Sequence, residues 1–181
     1  MAGMVAPLVL PLLAKLRTLG RHRFMRPPGA LPEAEFLDAC IGCGQCANVC
    51  PNKCITLQGL DTGIENFVTP VISARARGCV LCMACTQVCP TGALQPLEPE
   101  QKEEVDMGTA VVLEDLCYSF AGRTCGVCYR ACPLQGTALT LGLFEQPHVN
   151  PDYCVGCGLC EQACVHMPQA IRIIPTAQRD A

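Results

Sequence analysis

Cys40-Ile41-Gly42-Cys43-Gly44-Gln45-Cys46-Ala47-Asn48-Val49-Cys50-Pro51 spaces four cysteines as C-x2-C-x2-C-x3-C and closes them with a proline. The same run returns as Cys79, Cys82, Cys85 and Cys89, closed by Pro90. It returns again with a stretched first gap, C-x7-C-x2-C-x3-C, as Cys117, Cys125, Cys128 and Cys132, closed by Pro133. A fourth copy holds Cys154, Cys157, Cys160 and Cys164, with Val165 where the others have proline. Sixteen of the seventeen cysteines of the chain fall into these four groups.

This spacing implies four [4Fe–4S] clusters. Cluster iron takes soft, anionic, polarizable ligands, and thiolate is the best that a protein offers. Three cysteines from one tight loop grip three corners of a cube. The fourth points away, and the following proline bends the chain so that this thiolate reaches the other cluster of a pair. It is expected to start the next helical turn. Gly42, Gly44, Gly156 and Gly158 leave room for backbone N–H groups to approach the sulfur atoms. Structural zinc instead takes two C-x2-C pairs a dozen or more residues apart. Eight disulfides would need an oxidising compartment, and no cleavable signal peptide is visible.

Composition points the same way. The 181 residues include no Trp, three Tyr and five Phe, so a large aromatic core cannot be built. Ligation is then expected to supply much of the folding energy. Gly at 16 and Pro at 15 suggest short elements and many turns. The formal charge is −3, and four oxidised all-cysteine clusters would take the folded protein to roughly −11. No basic stripe is present to neutralise phosphates, which argues against nucleic acid as a partner.

Residues 1–30 differ from the rest. An apolar stretch from Met4 to Leu13 precedes Lys15, Arg17, Arg21, Arg23 and Arg26. It is too short to span a bilayer. It suits contact with a partner subunit or the membrane surface, notably through residues 1–25. Pro27-Pro28-Gly29 is expected to be a linker. The body, 31–175, is an internal repeat: Cys54-Ile55, Ala93-Leu94, Ala138-Leu139 and Ala170-Ile171 recur after each fourth cysteine. Residues 176–181 form a tail. Strand-like approaches at Val68 to Ile72, Ala110 to Leu113 and His148-Val149 precede three motifs, and a helix-like run from Pro32 to Ala39 precedes the first. The expected fold class is α+β, with tandem or nested bacterial ferredoxin-like units around four clusters. Cys54 occupies the place of Ala93 and suits a small buried residue. His22, His148 and His166 suit surface positions, since no motif is short of a cysteine. Arg123, in the stretched gap, either raises a local potential or is a solvated loop residue.

Crossed ligation requires the motifs to pair, either as neighbours or in a nested manner. Nested pairing resembles the four-cluster electron-transfer subunits of molybdenum oxidoreductases and is the expectation taken here. It groups Cys40, Cys43, Cys46 and Cys164; Cys154, Cys157, Cys160 and Cys50; Cys79, Cys82, Cys85 and Cys132; and Cys117, Cys125, Cys128 and Cys89.

Two stretches carry a closer likeness. One runs from Arg26-Pro27-Pro28-Gly29-Ala30-Leu31-Pro32 into the first motif, and the other is Cys117-Tyr118-Ser119-Phe120-Ala121-Gly122-Arg123-Thr124-Cys125-Gly126-Val127-Cys128-Tyr129-Arg130-Ala131-Cys132-Pro133. The chain resembles the NapG/MauM-type ferredoxin proteins over about residues 26–175. That resemblance implies electron relay between a membrane quinol-oxidising partner and a periplasmic acceptor, or a part in maturing an amine dehydrogenase. The implied partners are redox donor and acceptor proteins, including a membrane protein, in an oxidoreductase complex. A maturation factor and a freely diffusing carrier are the alternatives. No catalytic residues of its own are expected, since neither a nucleophile–base pair nor a nucleotide motif is found. The family's twin-arginine export signal has only Arg21-His22-Arg23-Phe24 as a counterpart, and the apolar stretch lies before it. The expected location is therefore peripheral, on the cytoplasmic side of the membrane, with export alongside a partner as the alternative.

Overall fold

The computed structural model describes residues 24–176. The apolar and basic stretch from Met4 to Arg23, His22 included, and most of the tail lie outside them. Two halves repeat one topology. In each, an outer strand leads into a cysteine motif, a hairpin follows, and a second motif leads into a strand that pairs with the first.

The first half contains α1 (Glu33–Ala39), α2 (Gln45–Val49), β1 (Ile55–Leu57), β2 (Pro70–Ile72) and α3 (Ala84–Gln87). β1 and β2 are antiparallel, with Ile55 opposite Ile72. Its outer pair is reduced to a single bridge, Ala30 opposite Leu94. The second half contains β3 (Gly108–Val112), α4 (Val127–Ala131), β4 (Leu139–Leu141), β5 (Pro147–Val149), α5 (Leu159–Ala163) and β6 (Ile171–Pro175). β4 pairs antiparallel with β5, and β3 with β6. Each recurring small–apolar pair of the sequence therefore sits at or beside the start of a strand or bridge.

The ligand helices start alike. The residue after the second cysteine of each motif is left-handed: Gly44 at φ 72°, Met83 at 57°, Gly126 at 54° and Gly158 at 81°. A left-handed residue reverses the chain and lets the third cysteine enter a helix immediately. In three motifs the fourth cysteine does not start a helical turn, as the spacing suggested; it ends one, while in the second Val88 is the cap. Cys50, Cys132 and Cys164 are extended caps, with ψ of 112°, 125° and 122°. Proline excludes helical backbone at the residue before it, which explains Cys50 and Cys132. Cys164 takes the same shape before Val165, so proline reinforces this bend without being required for it.

Pro27-Pro28-Gly29 is not a linker. Both prolines are fully buried, and Leu31 N–H donates to the Ala93 carbonyl at 3.1 Å. Arg26 anchors this segment. Its guanidinium donates to Glu33 at 2.6 and 3.0 Å, to Asn66 Oδ1 at 2.9 Å, and to Thr69 Oγ1 and the Pro70 carbonyl at 2.9 and 3.1 Å. It also lies 4.7 Å from the centroid of the buried Phe36 ring. A buried cation persists only when it is paired and fully hydrogen-bonded, and this one joins the entering chain to the β1–β2 loop. Arg26→Met should cost about 3 kcal/mol, because Glu33 and Asn66 lose their partner. Faster cluster bleaching in denaturant would register that loss.

The core is continuous across the two halves. Phe36, Met83, Leu94, Met107, Leu134 and Val155 belong to one buried cluster. A smaller cluster around Ala110, Leu139 and Ile171 lies beneath β3 and β6.

Candidate iron–sulfur sites

The cysteines gather by neighbouring motifs. A first cage has Cys40, Cys43, Cys46 and Cys89 around one cavity, with Phe36 and Leu94 in its wall. Beside it, the Cys85 thiol lies within electrostatic reach of Cys79, Cys82 and Cys50, and also of Cys46 from the first cage; Cys54, between Cys50 and Cys79, ties those two thiols to a second cage. A third cavity is lined by Cys132, Cys154, Cys157 and Cys160. A fourth is lined by Cys117, Cys125, Cys128 and Cys164. Every cage takes three cysteines from one motif and the fourth cysteine of the other motif in the same half.

This corrects the nested expectation. Cys164 joins Cys117, Cys125 and Cys128, not Cys40; Cys50 joins Cys79, not Cys154; Cys89 joins Cys40, not Cys117; and Cys132 joins Cys154, not Cys79. The physical reason is local. The β1–β2 and β4–β5 hairpins fold each motif back onto the next one, and short connections cost less closure entropy than long ones. Ligand helices α2 and α3 pack together in the first half, as α4 and α5 do in the second.

The donor set fits iron–sulfur clusters. All seventeen cysteines are unbridged, which leaves the sixteen cage thiols free to ligate. Among the described residues, no three Cys, His, Asp or Glu side chains converge closely enough to hold a single metal ion. The thiols instead surround cavities. Burial pushes Cys46 and Cys128 up to about 11, and Cys85 and Cys157 up to about 12. Burial raises Cys160 as well, and neighbouring thiolates add to it. Such cages become anionic only around a strongly cationic group, which is how metal ligation deprotonates a thiol. Backbone donors already face the sulfurs: Leu81 N–H to Cys79, Leu94 N–H to Cys89 and Ala110 N–H to Cys154 at 3.4 Å, and Ala170 N–H to Cys164 at 3.3 Å.

The glycines named from the sequence are needed for two reasons. All four have positive φ, from 66° to 81°. A Cβ at Gly156 would also lie 2.5 Å from the Gly108 carbonyl oxygen, and one at Gly42 would lie 2.4 Å from Val68. The second motif manages without glycine, placing Leu81 and Met83 at φ 56° and 57°.

Several contacts at the cages carry no signal in the sequence. Tyr118 and His166 line the fourth cavity, with ring centroids 5.1 Å apart and edges meeting faces. His148 is exposed, as a surface position requires, whereas His166 is half-buried against the fourth cavity. Arg123 is exposed and its guanidinium lies 6.0 Å from the centroid of the Tyr118 ring, so it combines the loop reading with a place beside the fourth cage. Cys54 is buried to the same degree as Ala93, Ala138 and Ala170. It also contacts two cage thiols, a fact that no one-dimensional pattern carries. Its hydrogen bond to Cys79, together with burial, raises the Cys54 thiol, and the same bond lowers Cys79.

Two halves of this kind, each crossing its cysteines between two cages, have the architecture of a ferredoxin. Comparison with known proteins agrees. Two family models, each described as a 4Fe-4S dicluster domain, match residues 39–93 and 78–136 in one case and 109–165 in the other. Relatives include the methylamine utilization ferredoxin-type protein MauM of Methylophilus methylotrophus, 40% identical over 161 residues, 83% of this chain and 70% of the relative. MauM of Methylorubrum extorquens is 38% identical, covering 94% of this chain and 81% of its own. The ferredoxin-type protein NapG of Escherichia coli is 40% identical, covering 83% and 70%. The chain belongs to the MauM and NapG ferredoxin-type family, a family of iron–sulfur electron-transfer proteins. Its cofactor is the [4Fe–4S] cluster, and dicluster domains over both halves support four of them. No helix among the described residues is long and apolar enough to cross a membrane.

Proposed function

We propose that this chain is a relay subunit that passes single electrons along four clusters between two redox partners in a membrane-associated oxidoreductase complex. The carrying observation is the order of the cages. The second and third cages meet where Cys79 N–H donates to the Cys157 carbonyl at 2.7 Å. One ligand residue of each half is thus bonded to a ligand residue of the other. The order is then first, second, third and fourth, with the first and fourth cages at opposite ends.

In this reading Cys40, Cys43, Cys46 and Cys89 hold one cluster, and Cys50, Cys79, Cys82 and Cys85 the next. Cys132, Cys154, Cys157 and Cys160 hold the third, and Cys117, Cys125, Cys128 and Cys164 the last. Bound clusters supply one-electron acceptance and release, at potentials set by burial, charge and hydrogen bonds to sulfur. The chain's own residues do the rest. Backbone N–H groups orient and stabilise the thiolates, while buried Cys46, Cys85, Cys157 and Cys160 keep water from the interior. At the ends the chain is open: Cys43 is exposed beside exposed Ile41, and Val165 and Met167 are exposed beyond Cys164. Those ends suit docking of a donor and an acceptor. No substrate site of its own enters this reading.

The relatives divide between methylamine utilization proteins and NapG, and their common ground is the ferredoxin type, which supports a relay. The segment before Phe24 is the proposed peripheral attachment, on the cytoplasmic face; Met25, expected to share in it, is instead packed in the core. Anaerobically isolated protein should contain about 16 Fe and take up about four electrons per chain. Zinc in their place would end this reading. Depleting the protein after its partner enzyme is assembled should stop steady-state electron flow. Undiminished flow would assign it to maturation instead.

A further inference from the structure

The four cages use sixteen thiols, and Cys54 remains. Its Sγ lies 3.5 Å from Cys50 Sγ, and Cys79 is the neighbour that acts most strongly on its thiol. It therefore faces two thiols of the second cage, one from each motif of the first half. The side chain is 4% exposed, so water does not compete for its proton. The other three repeats place Ala93, Ala138 and Ala170 here, at 1%, 3% and 3% exposure. Alanine fills the same position in the same fold, so packing alone does not call for sulfur.

We propose that Cys54 is a tuning residue of the second cage, whose S–H donates to the sulfurs of Cys50 and Cys79 and raises the reduction potential there. This rests on the second cluster being held by Cys50, Cys79, Cys82 and Cys85. Reduction adds one electron to a cage already bounded by four thiolates. A neutral donor at a ligand sulfur stabilises that added charge and favours the reduced state. No bond forms or breaks, and the proton stays on Cys54. The electron comes from one neighbouring cluster and leaves to another. A thiol carries one proton, so it serves Cys50 and Cys79 alternately. The second cage adjoins the junction of the halves, so its potential governs whether an electron crosses easily or stalls.

The test uses the full-length, cluster-loaded protein and two variants. Cys54→Ala copies the other repeats, and Cys54→Ser offers a stronger donor of nearly the same size. Both should keep about 16 Fe. In potentiometric titrations followed by EPR, Cys54→Ala should lower a single midpoint by about 59 mV, a tenfold change in the one-electron equilibrium. Cys54→Ser should hold or raise that midpoint. Four unchanged midpoints in the alanine variant would overturn the proposal. Loss of about four irons from it would also do so, by making Cys54 a ligand. Should the alanine variant not load, a serine variant with a lowered midpoint would overturn it just as well. A wild-type protein with fewer than four clusters would count against the relay reading itself, before either variant is made.

Discussion

Removing Cys43 and Cys89 together should cost the protein no more iron than removing either alone. Both thiols line the first cage. Cys43→Ala, Cys89→Ala and the double variant should each fall from about 16 to about 12 Fe. Cys89→Ala combined with Cys125→Ala should fall to about 8, because Cys125 lines the fourth cage. Nested pairing reverses the two results: the first double variant would drop to about 8 and the second to about 12. Additivity is expected for independent sites and fails within a shared one, so the comparison reads cage membership directly. Ligation energy is folding energy in a protein of this composition. Iron should therefore be measured on freshly reconstituted, folded material.

The second large effect is expected at Gly78, where the two halves pack backbone against backbone. A Cβ there would lie 2.6 Å from Leu159 N, 2.8 Å from the Gly158 carbonyl carbon and 2.9 Å from Leu159 Cα. These are backbone atoms, so no side chain can rotate aside. The residue is also held by hydrogen bonds. Gly78 N–H donates to Gln162 Oε1 at 2.8 Å, and its carbonyl accepts from Asn52 Nδ2 at 2.7 Å. The next residue makes the Cys79 to Cys157 bond. Gly78→Val should destabilise the protein by about 3 kcal/mol through overpacking and strained hydrogen bonds. It should bleach faster in denaturant and show weaker EPR spin coupling between clusters, at an unchanged iron count. Undiminished stability and coupling would mean that the halves do not meet through this glycine.

How much of this was legible beforehand depends on what each feature requires. Cysteine spacing is a local property, and the four runs carried the cofactor, the ligand residues and the repeat. The strands at Ile55, Leu139 and Ile171 were marked by the same small–apolar pair, because one structural unit recurs. Two readings failed for one reason: they concerned which distant segments meet. Pro27-Pro28-Gly29 has linker composition, yet Arg26 and the Ala30–Leu94 bridge bury it. The nested pairing fitted the spacing equally well, since a fourth cysteine looks the same whichever neighbour it joins.

Read in one dimension, then, the chain specified soft-ligand chemistry, four cubes' worth of thiols and the absence of a large aromatic core, because those follow from residue type and short-range spacing. Which thiols share a cage, where the two halves touch and what Cys54 faces were settled by hairpin closure and by backbone packing at Gly78, Gly156 and Gly158. These are contacts between residues far apart in sequence. Their energies depend on shape at close range, which residue order alone does not encode in any periodic signal.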